Sequence, residues 1–312
     1  MGSQEWVEEH LVELSIRGVA YINTDTCVSG PHLEISASPL LSYMVFDATR
    51  MVSHPSKENT TLFDELTNSF KKAEEDLKYE WSDNLSYDSD IGPFLYLAGI
   101  PSVNVWFRRN KTQNERKNKF PTYHTAYDTL HRMTNFVDPD YHLHKACTQL
   151  SLAMILNAAD SPLVPFNPTS LGQVMKKGLE HLTSEEISLK LIRFGVNIGP
   201  LRRAVDDFVV AADVWTEQLK TDNFSLPLRR RMLNDQLMLL KNSLLLPEGE
   251  SSNFRVRHAI YSPAILDSYV TTTFAKIVDL LNEGPEVKTR LNIYITKVMV
   301  QIRQAISALT PF

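Results

Sequence analysis

A chain of 312 residues is long enough for two domains, since single hydrophobic cores seldom grow past about 250 to 300 residues. With 43% hydrophobic and 22% charged residues, the composition is that of an ordinary globular protein. The net charge of -5 argues against a dedicated binder of nucleic acid or of an anionic membrane.

Helices and strands are predicted to alternate through the first half of the chain. An apolar stripe from Trp6 to Ile16 predicts a helix that ends near Gly18. Val19 to Ile22 reads as a short buried strand that is followed by polar residues. The other elements predicted here are helices at 39–52, 62–77, 94–98 and 139–158, a strand at 100–107 and a long loop at 108–123. This alternation favours a mostly parallel α/β sheet.

The composition changes at residues 161–168, where three prolines fall in a short span. Beyond this linker the strand signals vanish and helical stripes take over, clearest at Met232 to Leu240 and at Leu291 to Leu309. We therefore predict two domains, an α/β domain at 1–161 and an all-helical domain at 162–312.

The two cysteines of the chain, Cys27 and Cys147, indicate neither a disulfide framework nor a cysteine zinc site. No apolar run approaches the ~18 residues of a membrane span, and no signal peptide precedes the first helix. Asn-x-Ser/Thr sequons, which favour a glycosylated and exported surface, begin at Asn59, Asn84, Asn110 and Asn223. An exported surface without an export signal suggests that an upstream part is absent.

Common nucleotide-binding and hydrolase motifs are missing from the sequence, including G-x-G-x-x-G, the P-loop, H-E-x-x-H and G-x-S-x-G. What remains is Asp25 at the exit of one strand and His124 in the loop after another. Open α/β sheets bind ligands at the carboxyl ends of their strands, and both residue types suit zinc. Taken alone, an Asp after a strand is more often a turn residue, and a lone loop His is more often structural.

Several longer motifs occur in a fixed order along the chain. They are Gly2–Trp6, Val19–Asp25, Ser38–Leu40, Tyr123–Thr129, Arg231–Met238 and His258–Pro263. In this order the sequence resembles the glutamate carboxypeptidase II and transferrin receptor family. It is most similar to the branch of the N-acetylated alpha-linked acidic dipeptidases. The resemblance implies the C-terminal half of a zinc-exopeptidase α/β domain, followed by a helical dimerisation domain.

The resemblance implies a site of two zinc ions held by two histidines, two aspartates and a glutamate, with a second glutamate as general base. Asp25 and His124 match the last two ligands, which serve different zinc ions. The other ligands and the general base would lie upstream of the Gly2–Trp6 motif, where this chain starts. We therefore expect a truncated dizinc exopeptidase (a carboxypeptidase or dipeptidase acting on small peptides) that is inactive by itself. The intact parent would lie at the outer face of the plasma membrane or be secreted.

The same resemblance assigns further residues to metal and substrate. Glu5 and Glu8 match two ligands of a structural calcium site. Tyr123 and Tyr269 match tyrosines that bind the terminal carboxylate of the substrate.

The positions that would read a glutamate side chain depart from the family pattern. The lysine that precedes the second substrate tyrosine is Ser268 here, and two arginines of the acidic-substrate patch are Asn104 and Trp106. Strict preference for glutamate is therefore not expected, and neutral or mixed C-terminal residues are.

A second interpretation is a catalytically inert, receptor-like interaction protein that forms homodimers. The resemblance implies that the helical domain makes the dimer in both cases. Retention of Asp25 and His124 favours peptidase ancestry, because a receptor lineage has no physical reason to keep zinc ligands. A nucleic-acid binder that uses the basic loop lacks aromatic platforms and net positive charge.

Overall fold

The structure is a computed structural model of the chain. It describes residues 2–74, 85–109, 122–250, 253–264 and 267–310, with the backbone alone at 69–74, 264 and 267–272. Within these ranges a small mixed sheet with flanking helices comes first, and a helical layer follows. The predicted order of α/β and then helical structure is confirmed.

The helices of the first half follow the predicted order. The helix expected to end near Gly18 is interrupted at His10 and forms two segments. The helices are α1 Gly2–Glu9, α2 Leu11–Arg17, α3 Ser42–Met51, α4 Leu62–Glu74, α5 Leu130–Arg132 and α6 His142–Asp160. Single helical turns lie at Pro39–Leu41, Pro93–Leu97 and Met133–Val137.

The sheet of the first half has the order β1-β3-β2, with β1 at Tyr21–Asn23, β2 at His32–Ala37 and β3 at Ser102–Arg108. Strands β1 and β3 are parallel, whereas β2 pairs antiparallel with β3. The sequence pattern did not predict β2, although Leu33 and Ile35 alternate with more exposed residues as a half-buried strand requires.

The second half contains helices α7 Pro168–Leu182, α8 Glu185–Phe194, α9 Gly199–Leu219, α10 Pro227–Ser243, α11 Ala275–Glu283 and α12 Lys288–Leu309. Helix α12 packs against both α9 and α10. A hairpin of β4 (Tyr261–Ala264) and β5 (Asp267–Thr273) also lies in this half and was not predicted.

The two halves share one hydrophobic core, which includes Met44, Val105 and Phe107 from the sheet side and Phe208 and Ile302 from the helical side. Polar contacts cross the same junction. The backbone N–H of Asn167 donates to the carbonyl of Leu40 at 2.8 Å, and its side-chain amide donates to Ser42 Oγ at 2.9 Å. The boundary at 161/162 stays a prediction.

The cysteines differ from expectation, because Cys27 and Cys147 form a disulfide bond with their Cα atoms 6.7 Å apart. The sequence showed only two cysteines far apart in the chain and gave no sign that folding brings them together. None of the described helices is long and apolar enough to cross a membrane.

Candidate functional site

The predicted zinc ligand Asp25 lies in an exposed turn, Thr24 to Thr26, directly after β1. Strand β1 is parallel to β3 and ends at Asn23, opposite Asn104, so this turn follows the carboxyl end of β1 while β3 continues to Arg108. Thr26 has φ of 51°, a left-handed backbone that β-branched residues rarely adopt. The rest of the fold therefore imposes an unfavourable backbone conformation beside Asp25.

The second predicted ligand, His124, lies exposed in a turn from Thr122 to Tyr127. Its own φ is 59°, and its ring stacks on that of Tyr123 with the centroids 3.8 Å apart. Thr125 braces the turn by donating from Oγ1 to the carbonyl of Thr122 at 2.7 Å. Positive φ at non-glycine residues concentrates at functional sites, and both ligand turns show it.

A polar cluster, which the sequence did not single out, lies between β1 and β3. The hydroxyl of Tyr21 donates to Asn23 Oδ1, and Asn23 Nδ2 donates to Asn104 Oδ1, both at 3.1 Å. Burial raises the pKa of Tyr21 to about 12, and the carboxylates of Asp90 and Asp25 add to the shift. The signal that could have revealed this cluster is one buried asparagine in each strand, Asn23 in β1 and Asn104 in β3, at paired positions.

The two candidate zinc ligands are of the right chemical type but are too few for the site. Asp25 and His124 are an oxygen and a nitrogen donor of the types that zinc takes, but no hydrogen bond or ion pair joins them. Among the described residues, no three His, Cys, Asp or Glu side chains gather into a metal site. A catalytic zinc usually takes three protein ligands, so these two residues cannot hold two zinc ions by themselves.

The predicted calcium ligands are both exposed on α1, and one of them is already paired. Glu8 Oε1 accepts from Gln4 Nε2 at 2.7 Å and from Arg255 Nε at 2.8 Å. These two hydrogen bonds lower the pKa of Glu8. Calcium takes six to eight oxygen ligands, so Glu5 and Glu8 would supply only a small part of such a site.

The predicted substrate-binding residues fall in two places. Tyr123 is half-buried beside His124, whereas Tyr269 and Ser268 lie in β5, where side chains are outside the described part. Trp106 is covered by the guanidinium of Arg108, whose Cζ lies 3.9 Å from the ring centroid.

Two of the four sequon asparagines lie in the part of the chain that the structure describes. Asn59 and Asn223 are exposed, and Asn223 Oδ1 accepts from Ser225 Oγ within its own sequon at 2.5 Å. Asn84 and Asn110 lie outside the described residues.

Comparison with protein-family models divides the chain into two matched regions. Residues 1–139 match peptidase family M28, and residues 196–310 match the transferrin receptor-like dimerisation domain. The first region contains both candidate ligand turns and the second contains most of the helical layer. Residues 1–139 are thus part of a peptidase domain of family M28, a family that uses zinc, and residues 196–310 are a dimerisation domain of the transferrin receptor type.

Curated relatives match nearly the whole chain. It is 29% identical to a probable glutamate carboxypeptidase, LAMP1, of Arabidopsis thaliana over 93% of this chain and 39% of that protein. It is 28% identical to the aminopeptidase NAALADL1 of Mus musculus over 100% and 42%, and 33% identical to a probable glutamate carboxypeptidase, VP8, of Zea mays over 84% and 35%. The chain thus spans about two fifths of the length of these relatives.

Proposed function

We propose that this chain is the C-terminal portion of a dizinc exopeptidase that acts on small peptides. Asp25 and His124 would each bind one of the two zinc ions, and Tyr123 and Tyr269 would bind the terminal carboxylate of the substrate. The observation that carries the proposal is the M28 match over residues 1–139, which includes both ligand turns. The position of Asp25 directly after the carboxyl end of β1, a strand parallel to β3, supports it.

The substrate class follows from the charges around the site. Asn104 and Trp106 are neutral side chains and supply no cation, and the guanidinium of Arg108 over Trp106 is paired with Glu34 at 3.8 Å. With Ser268 in place of a lysine, the site has no cation dedicated to a glutamate side chain at any of these three positions. We therefore propose neutral or mixed C-terminal residues as the preferred substrates of the complete protein.

The chain by itself should show no peptidase activity. Two ligands are present where the family site needs five, and no residue here is assigned as the general base. The test incubates the purified chain with excess zinc and panels of N-acyl dipeptides and free dipeptides. Turnover that disappears in His124→Ala would overturn this part of the proposal.

The ligand assignment is tested in a longer form that includes the remaining ligands. There Asp25→Asn or His124→Ala should remove most activity, because each change leaves one zinc with a missing ligand and a water of higher pKa. Thr125→Ser, which keeps the hydroxyl that braces the His124 turn, is the matched control and should stay near wild type. Activity within a few-fold of wild type in a ligand variant would refute that residue's role.

The preference for neutral C-terminal residues is tested in the same longer form. Ser268→Lys should raise the ratio of activity on C-terminal glutamate to that on C-terminal leucine, because a lysine can pair with the acidic side chain. An unchanged ratio would mean that acidic side chains are recognised elsewhere.

We also propose a homodimer formed through the helical half. The matched domain indicates dimerisation, and the helical half exposes apolar side chains in helical register. Leu189 and Ile192 on α8 are 60% and 75% exposed, and Val210 and Val214 on α9 are 62% and 49% exposed. A self-complementary patch of this kind is the commonest route to a homodimer.

The dimer is tested by sedimentation of the whole chain at tens of micromolar. We expect a discrete dimer, and at least one of the double variants Leu189→Glu/Ile192→Glu and Val210→Glu/Val214→Glu should be monomeric. Leu152→Glu/Leu156→Glu on α6, in the α/β half of the chain, is the control and should stay dimeric. A clean monomer of the unmodified chain would refute the proposal.

The receptor-like alternative keeps one observation in its favour, namely the transferrin receptor-like domain at 196–310. The intact protein would then form the same dimer without binding zinc. Metal analysis of the complete protein distinguishes the two functions, since two zinc ions per chain exclude the inert receptor.

For the peptidase we propose an extracellular or membrane-surface location, supported by the exposed sequons at Asn59 and Asn223.

A further inference from the structure

The disulfide of Cys27 and Cys147 attaches the end of the Asp25 turn to a distant helix. Cys27 is the residue directly after that turn, and Cys147 lies in α6, 120 residues further along the chain. Cys147 is buried in the hydrophobic core, and Cys27 is half-buried. The bond is thus shielded from solvent at Cys147 and partly at Cys27, while the turn beside it is exposed.

On one side the chain after the Asp25 turn is held by the end of β3. The amide of Phe107 donates to the carbonyl of Cys27 at 2.7 Å. In return, the amides of Ser29 and Gly30 donate to the carbonyl of Phe107 at 2.7 and 3.0 Å. These three amides report whether residues 27–30 keep their place on the sheet.

On the other side the contact is with α6, which packs against α3 and β3. Asp25 and its neighbours in the turn are exposed, so burial does not hold them, and the positive φ of Thr26 disfavours the conformation that they adopt. A turn with an unfavourable backbone needs an anchor elsewhere, and in the described part of the chain the disulfide is the covalent one.

We propose that Cys27 and Cys147 are positioning residues, whose bond fixes the Asp25 turn between the end of β3 and α6. The bond forms when the two thiols give up two protons and two electrons to a protein disulfide, which is reduced to a dithiol. That the disulfide holds the turn follows from the fold alone, whereas its value for metal binding rests on the proposed role of Asp25 as a zinc ligand. Since disulfides persist in oxidising compartments, the same bond assigns the folding of this chain to such a compartment.

The test compares amide hydrogen exchange of the whole chain with the bond intact and after reduction by dithiothreitol. Reduction should speed exchange of the Phe107, Ser29 and Gly30 amides by about tenfold or more. The amides of α12 should keep their protection. The double variant Cys27→Ser/Cys147→Ser should match the reduced chain and should not respond to dithiothreitol. Thr148→Ala, exposed beside Cys147, is the control and should match the intact chain.

Three outcomes would overturn the proposal. Two free thiols in the unreduced, denatured protein would show that the bond is absent. Unchanged exchange of the three amides on reduction would show that the bond does not hold the turn. An equal loss of protection in α12 would show that the bond supports the fold as a whole and has no local positioning role.

Zinc affinity of the complete protein is measured separately, by competition with a chelator, on the oxidised and the reduced forms. Weaker binding after reduction supports positioning of Asp25. If reduction loosens the turn and zinc affinity is unchanged, the disulfide still positions the turn, but its value for metal binding is refuted.

Discussion

The imidazole of His258 illustrates how a single buried residue ties stability to pH. His258 is buried, and its Nδ1 accepts from the amides of Ile260 and Tyr261 at 3.3 and 3.2 Å. Burial lowers its pKa from the ordinary 6.5 to about 3. The folded chain thus keeps this ring neutral where the unfolded chain protonates it.

We therefore expect His258 to weaken the fold in acid. Between pH 6.5 and pH 3 the unfolded chain binds the additional proton, so stability falls as pH falls through this window. The loss from this group is at most about 1.4 kcal/mol per pH unit. In urea unfolding at pH 4.5 and pH 7, His258→Asn should show a smaller difference than wild type. His181→Asn, at an exposed histidine of α7, should keep the full difference, and an undiminished difference in His258→Asn would contradict the assignment.

At the scale of one element, α6 is anchored by a carboxylate that precedes it. Asp138 accepts from the amides of Leu143 and His144 at 3.2 and 3.0 Å and from His144 Nδ1 at 2.7 Å. Burial by itself would raise the pKa of Asp138, but the hydrogen bonds from His144 and Leu143 hold it below its usual value. A charged acceptor at a helix N-terminus satisfies amides that have no partner within the helix.

Replacing this anchor should destabilise the chain. Asp138→Ala leaves the first amides of α6 without their acceptor and should cost about 1–2 kcal/mol in urea unfolding at neutral pH. Asp140→Ala, at an exposed aspartate two residues further on, is the matched control and should cost at most about 0.5 kcal/mol. Equal losses in the two variants would show that Asp138 does not anchor the helix. Because the folded pKa is lowered, the contribution of Asp138 is present above the unfolded value of about 3.9 and is lost in stronger acid.

At the scale of the whole molecule, Lys241 joins the helical half to the first half. Its Nζ donates to the carbonyl of Ser15 in α2 at 3.1 Å and to Asn242 Oδ1 at 2.8 Å. The side chain is buried, and no carboxylate of the described chain pairs with it. Burial lowers the pKa of Lys241 from 10.5 to about 8. A buried cation without a counter-ion lowers the stability of the fold as long as it is charged.

Removing this charge gives a prediction for the alkaline range. Between pH 8 and about 10.5 the unfolded chain keeps the proton that the folded chain has lost, so the lysine should add stability as pH rises. Relative to Lys241→Met, the wild type should gain about 1–2 kcal/mol between pH 7.5 and pH 9.5 in urea unfolding. Lys176→Met, at an exposed lysine of α7, should show no such trend. A constant gap between wild type and Lys241→Met would place the folded pKa outside this window.

The sequence by itself determined the family and most of the elements. Ordered motifs from Gly2–Trp6 to His258–Pro263 gave a resemblance that the family models confirm. The apolar stripe from Leu291 to Leu309 predicted α12 nearly to both of its ends, because the helical period of 3.6 residues can be read from consecutive positions. Asp25 and His124 were proposed from local motifs, since a motif needs only neighbours in the chain.

Only the tertiary structure decided which distant residues meet. It shows the disulfide between Cys27 and Cys147, the hydrogen bond between Asn23 and Asn104, and the antiparallel pairing of β2 with β3. Each of these interactions joins residues that are 60 or more positions apart in the chain. Such pairings are set by the packing of whole elements, and no spacing in a single sequence records them. The hairpin β4–β5 carries a local signal in its β-branched run at 270–273, but what decides its place in a helical layer is the core around Ile260 and Phe274. The physical reason is that periodicity is a property of neighbours in the chain, whereas register and cross-links are properties of the closed fold.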